Sequence, residues 1–92
     1  MIISKKALDT LANQINTATS SPTSAYTRIN DRNVANIGNY HISSTYGGYT
    51  LHRMMNADGG VVDILGCGYI PKRELFNLMR AYLAGIERGD QS

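Results

Sequence analysis

Two short segments of the chain combine residue types that suit an anionic ligand. The first, Tyr46-Gly47-Gly48-Tyr49, places two aromatic rings around two glycines, so that a base can stack while bare backbone approaches it. The second, Lys72-Arg73, brings two cations to the predicted start of a helix, where free backbone N–H groups attract anions. Because the glycine and lysine spacing of a phosphate-binding loop is absent, the ordinary alternatives stay open, namely a tight hairpin turn and two solvated cations.

Arg53 is the third candidate, because it falls on the predicted apolar face of a strand. An unpaired guanidinium is costly to bury, so this side chain must reach the rim of the sheet, pair with an acid or contact a ligand. The ordinary alternative is that it extends outward to solvent along its aliphatic stem. The predicted ligand-binding set is therefore Tyr46, Gly47, Gly48, Tyr49, Arg53, Lys72 and Arg73.

The other reactive side chains do not form a catalytic or metal site by their spacing. His41, His52 and Asp63 share the polar face of the predicted sheet if Asp63 points away from the core, an arrangement open to acid–base or metal chemistry. Cross-strand polar pairs are common on solvated faces, however, and no third zinc ligand is evident. Cys67 lies between two glycines near the basic helix start, but no base is paired with it. We therefore predict no catalytic residues, no metal, no cofactor and a function by binding.

The first element that must position these residues is an amphipathic helix from Ser4 to about Thr19. Its apolar face is formed by residues at helical spacing, Leu8, Leu11, Ala12 and Ile15. Ser4 suits the N-cap, and Pro22 prevents the helix from continuing. Residues 23–39 contain many Asn, Asp and Gly and are predicted as a loop that has room for a short strand at 25–29 and another at 34–37.

Alternating apolar and polar residues predict a sheet in the middle of the chain. The strands are predicted at residues 40–45, 49–55 and 61–65, separated by Gly47-Gly48 and by the turn at 56–60. A two-residue turn at Gly47-Gly48 places Tyr40 opposite Met55 on an apolar face and leaves His41 on a polar face. One apolar face is typical of a sheet that helices cover on one side.

A second amphipathic helix is predicted at the end of the chain. It begins at Pro71, ends at Gly89 and buries the helically spaced residues Leu75, Leu78, Met79, Tyr82 and Ile86. The predicted fold class is α+β: an N-terminal helix, a three-stranded antiparallel β-meander and a C-terminal helix, with both helices on one face of the sheet.

The composition limits the number of domains and the classes of function. A chain of 92 residues with 42% hydrophobic and 17% charged residues predicts a single small domain over residues 1–92 with a packed core. The net charge of +2 comes from scattered residues and makes nucleic acid an improbable partner. No apolar run approaches a membrane span, and a single cysteine excludes an internal disulfide. Because so small a domain is marginally stable alone, we expect self-association.

The order of short motifs along the chain resembles a family of small bacteriophage and prophage proteins. The motifs that carry the resemblance are residues 39–43, 46–51, 59–61, 72–75 and 81–85, together with the leading helix and residues 21–26. The resemblance implies a binding role in the cytoplasm of an infected bacterium. It brings no catalytic residues that can be assigned to positions of this chain.

From the resemblance and the residues together we expect a non-enzymatic counter-defence protein. In the first hypothesis it sequesters a nucleotide signal, in a pocket formed between the subunits of a homo-oligomer. In the alternative it is an anti-CRISPR-like inhibitor that blocks a host defence protein by direct contact. A sizeable exposed apolar or charged patch is the feature that favours the alternative.

Overall fold

The computed structural model describes residues 2–89, and the elements below are those of this part of the chain. In chain order they are α1 (Lys5–Ala18), β1 (Tyr26–Ile29), β2 (Arg32–Ala35), β3 (Tyr40–Thr45), β4 (Gly48–Met54), β5 (Val61–Asp63) and α2 (Lys72–Gly89). The strands form two antiparallel sheets, a two-stranded sheet β1-β2 and a three-stranded sheet β3-β4-β5. The predicted α+β class is confirmed, and the predicted meander corresponds to the larger of two sheets.

The first helix agrees with its predicted bounds and face. Ser4 is the N-cap, and its hydroxyl accepts a hydrogen bond from the N–H of Ala7 at 3.1 Å. The four residues predicted to face the core, Leu8, Leu11, Ala12 and Ile15, are all buried. The buried face also contains Asn16, a polar residue that the apolar pattern did not indicate.

The two short strands foreseen within the loop of residues 23–39 are present as β1 and β2, and they pair as a hairpin. The first lies within its predicted range, whereas the second begins at Arg32 rather than at 34. Asn30 and Asp31 make the two-residue turn, with φ angles of 48° and 63°. Asn and Asp tolerate this left-handed conformation, but without a glycine the turn lacks the usual sequence signal of a tight hairpin.

The turn between β3 and β4 is Tyr46-Gly47 rather than the predicted Gly47-Gly48, because Gly48 pairs with Thr45 inside the sheet. Tyr40 consequently lies opposite Arg53, two residues from its predicted partner. A shift of two residues leaves every side chain on its predicted face, since side chains alternate with a period of two. The side chains therefore share the predicted sides of the sheet although the register differs, but Thr50 and Met54, on the side predicted to be polar, are buried.

The strand β5 is shorter than predicted because the chain leaves the sheet after Asp63. The carboxylate of Asp63 accepts hydrogen bonds from the N–H groups of Gly66 at 3.1 Å and Gly68 at 2.7 Å, which closes a tight loop. The chain then returns to β4, where Tyr49 and Ile70 exchange both backbone hydrogen bonds at 2.8 and 2.9 Å. This return leads directly into α2 and sets the position of its first turn.

Four of the five positions predicted to face the core from the second helix do so, namely Leu75, Met79, Tyr82 and Ile86. Leu75 and Met79 are fully buried, but Leu78 is 42% exposed, so its assignment to the core is wrong. The partly buried positions of α2 that pack on the core are Phe76, Tyr82, Leu83 and Ile86. Phe76 and Leu83 rotate the contact stripe to the side of the helix away from Leu78, which accounts for its exposure.

One hydrophobic cluster contains residues from both helices and from the larger sheet. Its fully buried members include Leu8 and Ile15 of α1, Leu75 of α2 and Leu51 of β4. The main contacts between elements place α1 against α2 and β3, and α2 against β4. This packing determines the direction of both helices along the sheet.

Candidate functional site

The β3–β4 turn holds Tyr46 in a backbone conformation that is unusual for a large side chain. Its φ angle is 48°, and its ring is fully exposed at the tip of the hairpin. Only glycine fits at position 48 of β4, because a Cβ there would lie 2.8 Å from the Cβ of Tyr69. Gly48 is therefore needed in the strand for close packing, and the left-handed position falls to Tyr46 and Gly47.

The start of α2 lies beside the other tyrosine of this segment. Ile70 pairs with Tyr49, and two residues later the Nζ of Lys72 lies 5.7 Å from the centroid of the Tyr49 ring. This distance is within the range of a cation–π contact. Arg73 follows on the exposed first turn of the helix. The predicted aromatic segment and the predicted cationic helix start are thus neighbours in the structure.

The helix α2 runs from the Tyr49 end of the larger sheet towards the Tyr40 end. Lys72, its first residue, contacts Tyr49, and ten residues later the hydroxyl of Tyr82 lies 2.9 Å from the hydroxyl of Tyr40. Tyr40 is the first residue of β3 and lies opposite Arg53, four residues along β4 from Tyr49. The N-terminus of α2 therefore lies at the end of the sheet that carries the Tyr46 turn.

The helix α1 runs in the same direction. Asn16, near its C-terminus, hydrogen-bonds to the backbone of the first residue of β3, whereas Asp9 lines a cleft beside Ile42, two residues further along that strand. The first turn of α1, which carries Lys5 and Lys6, extends further towards the Tyr46 turn. Both helix N-termini, with their positive dipole ends, lie at the same end of the molecule.

We call this region the basic end and define it by Lys5, Lys6, Tyr46, Gly47, Gly48, Tyr49, Lys72 and Arg73. Lys5 donates a hydrogen bond to Asp9 at 3.1 Å, a pair that is about half exposed on both sides. Glu74 is the acidic residue in the first turn of α2. Six of the seven predicted binding residues lie here. Lys5 and Lys6 were missed, because only the parallel course of the two helices brings them to this end.

Arg53, the seventh predicted residue, lies elsewhere. It is four residues from Tyr49 along β4, which is about 13 Å in an extended strand. Its guanidinium carbon is 5.3 Å from the centroid of the Tyr40 ring, and its Nε is buried without a hydrogen-bond partner. Within residues 2–89 no carboxylate forms an ion pair with it. Arg53 is half-buried, and an aromatic face takes the place of the expected acid.

The hydroxyl groups next to Arg53 belong to a packed aromatic pair. The Tyr40 and Tyr82 ring centroids are 5.9 Å apart with the planes tilted. Burial raises the pKa of Tyr82, and the hydrogen bond shared with Tyr40 raises it further, to about 12, whereas the nearby charge of Arg53 acts in the opposite direction. The phenol of Tyr82 is thus protonated at neutral pH. The pair links the sheet to α2.

His41, His52 and Asp63 form one row across β3, β4 and β5, because the register places His52 opposite both of the others. They therefore share a face of the sheet, as predicted. The rings of His41 and His52 meet edge to face with centroids 5.9 Å apart. No cluster of three or more His, Cys, Asp or Glu suited to a metal occurs in residues 2–89.

The imidazole of His41 is held by a short chain of hydrogen bonds. The side-chain amide of Asn39 donates to the carbonyl of Pro22 at 2.8 Å, so its oxygen faces the Nδ1 of His41 at 3.1 Å and accepts from it. Burial lowers the pKa of His41, and the charge of His52 lowers it further. The folded chain therefore favours the neutral imidazole.

The carboxylate of Asp63 accepts hydrogen bonds from the backbone of the loop that follows it. Burial alone raises the pKa of its carboxyl, but hydrogen bonds from Gly68 and Thr50 lower it, and the net value lies below the ordinary 3.8. Cys67 lies in the same loop, half-buried, with its Sγ 3.9 Å from the hydroxyl of Thr50 and 3.3 Å from the carbonyl oxygen of Gly68. These groups hold the loop against the sheet, which is a structural role.

Comparisons with protein-family models, with curated proteins and with solved structures find no match. The resemblance to small phage proteins therefore depends on the motif order alone. Among the helices of residues 2–89, none has the length and apolar character needed to cross a membrane. The geometry of the basic end is consequently the main physical guide to function.

Proposed function

We propose that the protein binds an anionic small molecule of the nucleotide class at the basic end, without catalysing a reaction. The observation that carries the proposal is that both helix N-termini and six of the seven predicted binding residues lie at one end of the molecule. Such an end combines the positive dipole ends of two helices with cationic side chains, which together favour phosphate groups.

The aromatic residues of the basic end suit the other half of a nucleotide. Tyr46 is fully exposed, and stacking of a base on an aromatic ring contributes about 1–3 kcal/mol. The left-handed backbone of Tyr46 opposes the conformational preference of a large residue. Rules of local structure are most often broken at functional positions, which supports a role for this ring in binding.

The geometry of the proposed site requires both helices on the same face of the three-stranded sheet. We infer this arrangement from the shared core, in which Leu8 of α1 and Leu75 of α2 join Tyr40 and Leu51, two sheet residues that point to one face. With the helices side by side, the cations Lys6 and Lys72 approach the same anion. Arg53 is not part of this site.

The biological setting that we propose follows from the resemblance to phage and prophage proteins. In that setting the protein acts in the cytoplasm of the infected bacterium and sequesters a nucleotide that signals for defence. Sequestration requires that the protein binds the nucleotide tightly and does not convert it. Cations and tyrosines can bind the phosphate and the base, and no catalytic residue is proposed among them. A homo-oligomer is part of this proposal, because a domain of 92 residues is marginally stable by itself.

Isothermal titration calorimetry with AMP, a cyclic dinucleotide and inorganic phosphate tests the proposal. The double variant Lys72→Glu/Arg73→Glu should lower the affinity for the nucleotide that binds by about ten-fold or more. The matched control is Arg80→Glu/Arg88→Glu, which makes the same change in net charge on the same helix away from the basic end. Equal losses in both variants, or no binding of any of the three probes by the parent protein, would refute a site at the basic end.

The alternative function, inhibition of a host defence protein by direct contact, is favoured by a different observation. Ile37 is 61% exposed and Met55 is 54% exposed, and both lie beyond the strand ends opposite to the basic end. Exposed apolar side chains of this kind suit a protein partner. Native mass spectrometry after incubation with bacterial lysate separates the two functions, since one predicts a mass gain of a few hundred daltons and the other a bound protein.

A further inference from the structure

We propose that the outer edge of β1 is a self-association surface, through which two copies of the chain join their hairpins into one four-stranded antiparallel sheet. This inference concerns the β1–β2 hairpin, which takes no part in the proposed nucleotide site. It depends on three properties of β1: unpaired backbone groups, exposure, and a sequence that is complementary to itself.

The direction of the backbone groups follows from two hydrogen bonds. The N–H of Asn36 bonds to the carbonyl of Ala25 across the hairpin at 2.8 Å, and the N–H of Ala35 bonds outward to Ala57 at 3.1 Å. Because inward and outward groups alternate along an antiparallel pair, the groups of Tyr26 and Arg28 point away from β2. The edge of β1 therefore offers two donors and two acceptors.

The strand β1 is exposed over its whole length, and its main contacts are with β2. Tyr26 is 52% exposed and Ile29 is 50% exposed. An exposed edge strand is a template for pairing with another strand. A two-stranded hairpin is also only marginally stable, and two further strands would remove this weakness.

Some of the outward backbone groups on the other edges of the described strands are already bonded by the protein itself. At the start of β3, the buried amide of Asn16 bonds to both backbone groups of Tyr40, at 2.7 and 2.9 Å. At the end of β5, the N–H of Gly66 bonds to the carbonyl of Asp63 at 3.1 Å. On β2, the outward N–H of Ala35 is already bonded. The outward groups of β1 have no such partner.

A second copy fits this edge because the sequence Tyr26-Thr27-Arg28 is complementary to itself in antiparallel orientation. A two-fold axis at Thr27 places Tyr26 of each copy opposite Arg28 of the other, so each outward donor meets an acceptor. The side chains match as well, since an arginine lies beside a tyrosine and the two threonines pair on the axis. The register keeps the two Arg28 side chains from facing each other.

Disulfide trapping tests the proposed register. In a Cys67→Ser background, Thr27→Cys places two thiols on the two-fold axis, where opposite Cα atoms are about 4.5 Å apart and a disulfide can form. The matched control, Ile29→Cys, is exposed on the same face of the same strand, but its two copies are separated by about 14 Å along the strands. We expect Thr27→Cys to form the covalent dimer at least about ten-fold faster. Equal rates would overturn the proposal.

Sedimentation velocity tests the association without a crosslink. The short edge predicts a dissociation constant above about 10 µM, so the average mass should rise towards twice 10.1 kDa as concentration increases. Arg28→Pro removes an outward N–H and should keep the protein monomeric, whereas Asn33→Pro removes an outward N–H from β2 and should not. A parent protein that stays monomeric to about 1 mM, or a dimer that survives Arg28→Pro, contradicts the proposal. Neither outcome depends on nucleotide binding.

Discussion

Replacing Asn16 by alanine should destabilise the protein strongly, although the side chain lies in a helix and carries no charge. Asn16 is fully buried, and its amide accepts from the N–H of Tyr40 at 2.7 Å and donates to the carbonyl of the same residue at 2.9 Å. In Asn16→Ala both groups of Tyr40 lose their partner. A buried polar group without a partner costs about 1–3 kcal/mol, so the expected loss is about 2–5 kcal/mol.

This loss is large relative to the stability of a domain of 92 residues, which is expected to lie between about 5 and 14 kcal/mol. Urea denaturation followed by far-UV circular dichroism measures it directly, and the melting temperature should fall by about 10–30 °C. Asn13→Ala is the matched control, since Asn13 is exposed on the same helix and alanine favours helix by less than about 1 kcal/mol.

Asn16→Asp provides a sharper test of the same two hydrogen bonds. At neutral pH a carboxylate can accept from the N–H of Tyr40, but it faces the carbonyl oxygen of Tyr40 without a proton to donate. In acid the neutral carboxyl regains a donor, so the deficit of the variant relative to the parent should become smaller. A deficit for Asn16→Ala below about 0.5 kcal/mol, or a deficit for Asn16→Asp that is the same at pH 7 and pH 4, would refute this account.

Two further predictions concern the core and the polar face. Leu75→Ala should cost about 2–5 kcal/mol in urea denaturation and Leu78→Ala less than about 1 kcal/mol, because the first side chain is fully buried and the second is 42% exposed. The pKa of His41 lies below 6.5 in the folded chain, so stability should be full above pH 6.5 and fall as the pH drops below it. His41→Gln should flatten the melting-temperature profile in that range, and an unchanged slope would assign the fall to another group.

Much of the fold could be predicted from local sequence patterns. The errors arise where the structure depends on contacts between residues that are distant in the sequence. The face of α1 and the faces of the larger sheet follow from spacing alone. The register of β3 against β4 does not follow from spacing. Gly48 packs closely against Tyr69 within the strand, so the left-handed turn position falls on Tyr46. The exposure of Leu78 likewise depends on which side of α2 meets the core, and its helical spacing is compatible with either side.

The site was predictable in its chemistry but not in its extent. The tyrosines, glycines and cations were identified by residue type, and Tyr49 and Lys72 do meet. Arg53 was included because it falls on the predicted apolar face of the strand, yet it lies about 13 Å from Tyr49 along β4. Lys6 has no local signal, since its place at the basic end depends on the packing of α1 beside α2.

The two proposed surfaces lie at opposite ends of the molecule, and this has a consequence for the oligomer. The hairpin is tied to the turn after β4 by the bond from Ala35 to Ala57, whereas the basic end surrounds the turn before β4. A dimer through β1 therefore leaves both basic ends open and does not form a nucleotide pocket between subunits. Arg28→Pro should abolish association and leave nucleotide affinity unchanged, whereas Lys72→Glu/Arg73→Glu should do the reverse. If instead Arg28→Pro also abolished nucleotide binding, the pocket would have to include residues from both copies, and the basic end of one chain would not be sufficient.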